Sequence, residues 1–167
     1  MDHNFTPDLT NVAATIKVFD KGIYEFSIGA AKPFKKDASG DKAEQFGIRY
    51  PLKVEAVHED GEPGQVGKGK TVFTCYLHND GGQAMAKQFV MAGYGYRVND
   101  EGEEAFNEAV GVDGDWAVNF EDGTVGTIWK ELAGKRILAE LDSRVNKANP
   151  DQKFQDFSWI PMSALET

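Results

Sequence analysis

The sequence predicts a mainly β domain with one long helix set into the strand order, and three observations carry that prediction. Residues 45–57 alternate strictly, with Phe46, Ile48, Tyr50, Leu52, Val54 and Ala56 on one face and Gln45, Arg49, Lys53 and Glu55 on the other, the period-2 signature of a half-buried strand. Just downstream, Phe73, Cys75 and Leu77 alternate with Thr74, Tyr76 and His78, so residues 45–77 read as one long β-hairpin. The period then changes: Met85, Phe89, Val90 and Gly93 recur at helical spacing.

The remaining elements follow in order. Residues 1–20 are weakly patterned and read as an N-terminal arm. Lys21-Gly22 is a turn, and the first strand follows it, where Tyr24, Phe26 and Ile28 alternate with Glu25 and Ser27. Residues 32–42 carry Lys32, Lys35, Lys36 and Lys42 beside Pro33 and Gly40 and read as a polar loop. The second strand is 45–57, the Gly-rich loop 58–70 contains Pro63, and the third strand is 71–78. Asn79-Asp80-Gly81-Gly82 breaks the sheet and opens a helix of about four turns, with Asp80 as its N-cap. Residues 98–129 form an acidic insertion with a short helix over 103–110; Phe106, Ala109 and Val110 dock it, and Trp116, Phe120 and Trp129 anchor it to the body. A fourth strand, 135–145, and a fifth, 154–160, are joined by a basic, turn-like loop, 146–153.

Five strands with a helix between the third and fourth match the order of the small Greek-key barrel called the OB-fold. The expected fold is therefore a single OB-fold domain over residues 1–167, with the 1–20 arm and the 98–129 insertion as additions. The chain has 167 residues, 41% hydrophobic and 11% aromatic, enough for a real core and unlike a disordered chain. No run approaches the roughly 20 apolar residues that a membrane helix requires, so no membrane partner is expected. Met1-Asp2-His3-Asn4 lacks the basic start and apolar stretch of a signal peptide. Cys75 is the single cysteine, so no intrachain disulfide forms, which suits a reducing compartment. The expected location is cytoplasmic.

In an OB-fold the surface of strands 2 and 3 and the loops joining strands 1–2 and 4–5 form the usual ligand site. Here Arg49, Lys53 and Tyr76 would make the floor, with Lys68 and Lys70 at the hairpin tip. Lys35 and Lys36 would close over it from one loop, and Lys147 and Lys153 from the other. Such a face suits a polyanion with flat bases: the cations neutralise phosphates and release counterions, and the aromatic ring stacks a base. Phe157 and Trp159 share one strand face. Trp159 is a second candidate platform, in competition with core packing against Phe26.

The net charge of −9 opposes a polyanionic ligand, but its distribution does not. Between Val98 and Trp129 lie nine acids (Asp100, Glu101, Glu103, Glu104, Glu108, Asp113, Asp115, Glu121 and Asp122) and neither lysine nor arginine. Taking those nine from the 27 acids leaves 18, balanced by the 18 bases of the chain. One segment carries the whole imbalance, and its plainest reading is a solvated insertion.

Several motifs fail on context. Gly64-Gln65-Val66-Gly67-Lys68-Gly69-Lys70-Thr71 matches the phosphate-binding loop literally, but that chemistry needs a helix directly after the loop to supply amides and dipole. Val72-Phe73-Thr74-Cys75-Tyr76 is instead strand-like. Gly93-Tyr94-Gly95 lacks the third glycine of the dinucleotide fingerprint, and the acids at 113–122 do not fit a calcium-loop frame. His3, His58, His78 and Cys75 have no zinc spacing. No catalytic constellation, cofactor or metal is expected.

The segments Gly22-Ile23-Tyr24-Glu25-Phe26-Ser27-Ile28, Gln45–Val57, Gly134-Lys135-Arg136-Ile137-Leu138-Ala139 and Phe157-Ser158-Trp159-Ile160-Pro161 resemble the small OB-fold single-stranded DNA-binding proteins of tailed bacteriophages. The resemblance spans roughly residues 20–60 and 130–162 and rests on diffuse motifs. It implies a protein that coats single-stranded DNA during phage replication or recombination, in the host cytoplasm, with replication or recombination proteins drawn to the acidic 98–129 segment. A homo-oligomer is compatible with it. A different reading of the same charge pattern is an acidic interaction module, or DNA mimic, that binds a basic protein through 98–129.

Overall fold

The computed structural model describes residues 22–58 and 70–166. Six antiparallel strands form one sheet: β1 (Gly22–Ile28), β2 (Lys32–Lys36), β3 (Gln45–Val57), β4 (Lys70–Tyr76), β5 (Arg136–Asn146) and β6 (Asn149–Ile160). The helices are α1 (Asp80–Gly93), α2 (Asp100–Phe106) and α3 (Thr127–Lys130). A π-helical turn, Asn107–Gly111, continues α2, and a 3-10 turn, Met162–Glu166, follows β6. No helix among the described residues is long and apolar enough to cross a membrane.

The spine of the sheet is β3. Along one edge it pairs with β4, from Gly47↔Tyr76 to Lys53↔Lys70. Along the other edge it pairs first with β2, through residues 45–49, and then with β1, through residues 52–57. Pro51 sits at the changeover. Its carbonyl accepts from the Gly29 amide at 2.8 Å, and in a strand the N–H and C=O of one residue point to the same side. The donor that proline lacks would therefore face the gap between β1 and β2, so a proline in mid-strand costs the β3–β4 ladder nothing. A second irregularity lies nearby. The register steps from Glu25↔Ala56 to Phe26↔Val54, which leaves Glu55 as the extra residue of a bulge.

Beyond β1 the sheet continues to β5 and β6, giving the order β4-β3-β1-β5-β6, with β2 beside the first half of β3. The two ends of this path, β4 and β6, are not hydrogen-bonded to each other, so the sheet is not closed into a barrel. Side chains bring them together instead. Phe73 of β4 meets Phe157 and Trp159 of β6 at ring distances of 5.7 and 4.6 Å, and Phe89 of α1 meets Trp159 at 4.8 Å. Helix α1 contacts β4, β5 and β6, so it lies across the unpaired edges. The inward face (Phe26, Ile48, Tyr50, Leu52, Ile137 and their neighbours) forms one buried cluster with Phe89, Phe106 and Trp129. Tyr50 is fully buried, its hydroxyl donates to the Trp129 carbonyl at 2.7 Å, and burial raises its pKa well above the usual phenol range.

Several sequence expectations are corrected. Residues 32–36 are not loop but the edge strand β2; three lysines and a proline in five residues hide the pairing, yet they are the composition that keeps an exposed edge from pairing with another chain. The N-cap of α1 is Asn79, not Asp80: the Asn79 side-chain oxygen accepts from the Gly82 amide at 2.7 Å. Helix α1 has the expected length, 14 residues, but Met85 is 46% exposed while Ala86, Phe89 and Val90 are buried. The inner stripe is thus turned one position from the one that Met85 suggested. The 103–110 helix begins earlier, at Asp100 behind the Asn99 cap, and widens into the π turn at Asn107. The third strand ends at Tyr76. The 146–153 loop contracts to the two-residue turn 147–148 between the paired Asn146 and Asn149, so β6 starts five residues before Phe154. The 1–20 arm and most of the 58–70 loop lie outside the described residues.

Candidate nucleic-acid interface

Cross-strand partners lie on the same face of a sheet, so the registers of β2, β3 and β4 define what the outward face displays. Gly47 sits between Phe34 and Tyr76, Arg49 between Lys32 and Thr74, and Lys53 opposite Lys70. Lys36 pairs with Gln45 at the far end. Within 32–36, 45–53 and 70–76 there are six cations (Lys32, Lys35, Lys36, Arg49, Lys53 and Lys70) and no Asp or Glu. Five of the six, all but Lys35, share the outward face.

At its centre the rings form a connected group. Phe34 and Tyr76 meet edge to face at 5.6 Å, Tyr76 meets His78 at 5.4 Å, and the Arg49 guanidinium lies 4.5 Å from the Phe34 ring centroid, a cation–π distance. Glycine at 47 makes this possible. A Cβ there would strike the Cys75 carbonyl oxygen and come within 2.8 Å of the Phe34 ring. Tyr76 keeps 36% of its surface exposed, and Arg49, Lys53 and Lys70 are exposed around it.

The structure separates the sequence candidates. Arg49, Lys53, Tyr76, Lys70 and Lys36 share one face. The alternation of 45–57 and 71–78 indicated this for Arg49, Lys53 and Tyr76, whereas Lys36, expected in a loop over the face, lies within it on β2, and Lys70, expected at the hairpin tip, opens β4. Lys35 does not: as the alternate residue of β2, paired with Phe46, it takes the opposite face, 3.8 Å from Glu44. Trp159 is no stacking platform. It is 6% exposed, stacked on Phe157 at 5.0 Å and packed edge to face with Phe73 and Phe89, so its ring is not open to a base. Lys147 is exposed at the β5–β6 turn. That turn lies at the end of the sheet where β1 begins and β3 ends, because Gly22 pairs with Leu141 and Tyr24 with Val57; Lys36 is at the opposite end. Lys68 and the Lys153 side chain lie outside what the structure describes.

Two features were missed in the sequence. Phe34 was hidden inside an apparent loop, although the spacing Lys32-Phe34-Lys36 is itself a period-2 signal. The second is a charged cluster beside the face, where Ser27 pairs with both Lys53 and Arg136. The buried Glu25 carboxylate accepts from the Arg136 guanidinium and lies 2.8 Å from His58 Nε2. Burial pushes the Glu25 pKa up, but the Arg136 and His58 hydrogen bonds outweigh it and hold the carboxyl below its ordinary value. Ser27 Oγ donates to Glu55 at 2.8 Å.

The chain matches no known family model and no curated protein.

Elsewhere, the acidic segment sits away from this face. Phe120 packs on Phe46 at 5.2 Å, Trp116 on Phe106 and Trp129 at 6.1 and 5.2 Å, and the Trp129 indole donates to the Trp116 carbonyl at 2.9 Å. Among the described residues, no group of three or more His, Cys, Asp or Glu is placed to hold a metal ion. Lys70 and Thr71 of the phosphate-loop-like motif open strand β4.

Proposed function

We propose that this chain is an OB-type single-stranded DNA-binding protein with little sequence preference, and that it binds DNA on the outward face of β2-β3-β4. The observation that carries the reading is that, over 32–36, 45–53 and 70–76, the outward face holds Lys32, Lys36, Arg49, Lys53 and Lys70 with the Phe34–Tyr76 ring pair and no Asp or Glu. The cations neutralise phosphates and release counterions, and Tyr76 stacks a base through a ring face that is indifferent to base identity. The strand order β4-β3-β1-β5-β6 supports the OB assignment, because it is the Greek-key order of that barrel with only the β4–β6 seam unpaired. Confinement of the excess negative charge to 98–129 leaves the rest of the chain neutral overall, and the acids beside the face are held, Glu25 by Arg136 and Glu55 by Ser27. A role in phage replication or recombination follows from the sequence resemblance.

The test is fluorescence anisotropy of a labelled oligo-dT with the full chain at low and moderate salt. Saturable binding that weakens steeply with salt is expected. Absence of binding at low salt would overturn the proposal and turn attention to a basic protein as the partner of 98–129.

A further inference from the structure

Just beyond the end of β4, Leu77, helix α1 and the π turn line a groove of about 560 Å³. Leu77, Ala86, Trp116 and Trp129 line it with apolar surface, Val112 stands at its lip, and Gln83, Lys87 and Asn107 supply polar groups. Its only cation among the lining residues, Lys87, is held by Glu103 at 3.5 Å. The segments that line it are acidic: Asp80 of α1, Glu104 of α2, Glu108 of the π turn and Asp113 just after it are all exposed and lie within three residues of a lining residue. Val112 is 76% exposed at the lip. The π turn shapes this edge, since both Asn107 and Gly111 line the groove, and such turns recur at functional positions.

We infer that this groove docks a segment of another protein in which a large apolar side chain is flanked by lysine or arginine. The apolar floor takes the anchor, and a volume of this order suits one or two large side chains rather than a whole helix. The acidic segments around the groove select the flanking charge: a basic flank is attracted and an acidic one repelled. The site uses different residues from the DNA face and stands whether or not that face binds DNA.

The two groove tryptophans report on it directly. The probe is a short synthetic peptide without tryptophan, Leu-Phe with two lysines on each side, titrated into the full chain without DNA while tryptophan emission is recorded. A saturable change is expected at low salt, and it should be absent with the matched peptide that carries glutamates instead. Glu108→Lys combined with Asp113→Lys, and separately Val112→Lys, alter only exposed positions and should each weaken the lysine peptide by about tenfold while oligo-dT anisotropy stays as in the parent chain. No emission change with the lysine peptide would overturn the inference. So would equal responses to both peptides, an unaltered response in the variants, or emission changes that follow protein concentration alone, which would mark the groove as a contact between copies.

Discussion

The Phe34 and Tyr76 rings meet edge to face at 5.6 Å across Gly47, with the Arg49 guanidinium over the Phe34 ring. Three strands contribute to that contact, and its geometry depends on position 47 having no side chain. Gly47→Ala would drive a methyl group into the Cys75 carbonyl oxygen and the Phe34 ring. Overpacking of this kind costs about 1–3 kcal/mol. Urea denaturation should show that loss, and oligo-dT binding should fall by more than stability alone accounts for, because the ring pair is displaced.

Charge on the outward face should divide the lysines and arginine into two classes. Replacing Arg49 or Lys53 by alanine should lower the slope of log affinity against log salt by about 0.7–1 per residue. Tyr76→Ala should lose about 1–3 kcal/mol of binding with the slope unchanged. Lys35→Ala should do neither, since that side chain is on the opposite face beside Glu44. A salt titration of each variant gives the answer, and equal effects of Lys35 and Arg49 would show that binding follows net charge rather than this face.

Glu25 gives the fold a pH dependence whose sign can be stated. Its folded pKa is depressed below the ordinary 4.5, so its ion pair with Arg136 stabilises the fold above the unfolded value and is lost as pH falls through the lower folded value. Glu25→Gln should therefore melt below the parent chain at neutral pH, with the gap closing as pH falls through the carboxylate range. Thermal denaturation from pH 7 down to about 3 is the measurement. A gap that stays constant would mean that packing, not charge, is what Glu25 contributes.

Cys75 faces the core at 2% exposure, and burial pushes its thiol up to about 12. With neither thiolate nor access, it should react with a disulfide reagent at pH 8 only as fast as the chain opens. Labelling in native buffer should be slow and should accelerate in urea in step with unfolding. Rapid labelling of the folded protein would place the thiol at a surface.

How legible these features were in the sequence depended on how strictly the side chains alternate. In β3 and β4 one face is apolar and the other polar, so the pairing of Arg49, Lys53 and Tyr76 on one side could be read directly. β2 was concealed because an edge strand needs no apolar stripe of its own: Phe34 is its one large apolar ring, and it packs on the outer face of the sheet rather than in the core. The hairpin at 147–148 lacks the Asn-Gly or Asp-Gly pair that announces a two-residue turn, so its flanks looked like loop. Glu25 gave no signal, because its partners Arg136 and His58 are 111 and 33 residues away and only the sheet register brings them together. Trp159 was ambiguous for a physical reason. An aromatic on a strand suits a stacking platform or a core equally well, and only the approach of β6 to β4 decides between them.

That approach supplies the last prediction. The β4 and β6 edges share no backbone hydrogen bonds, so the closeness of the sheet's two ends rests on Phe73, Phe157, Trp159 and the α1 residue Phe89. Phe157 and Trp159 stack at 5.0 Å, and Trp159 in turn meets both Phe73 and Phe89. Trp159→Ala removes the ring common to all these contacts and should cost about 3–5 kcal/mol, the range for a large buried aromatic. Trp159→Phe keeps an aromatic in the gap and should cost distinctly less. If side chains rather than a ladder hold the seam, amides of β4 and β6 facing it should also exchange faster than the laddered amides of β3 in the parent chain, and faster still in Trp159→Ala, while β3 keeps its protection. Uniform loss of protection across all strands would show instead that the seam opens only with the whole fold.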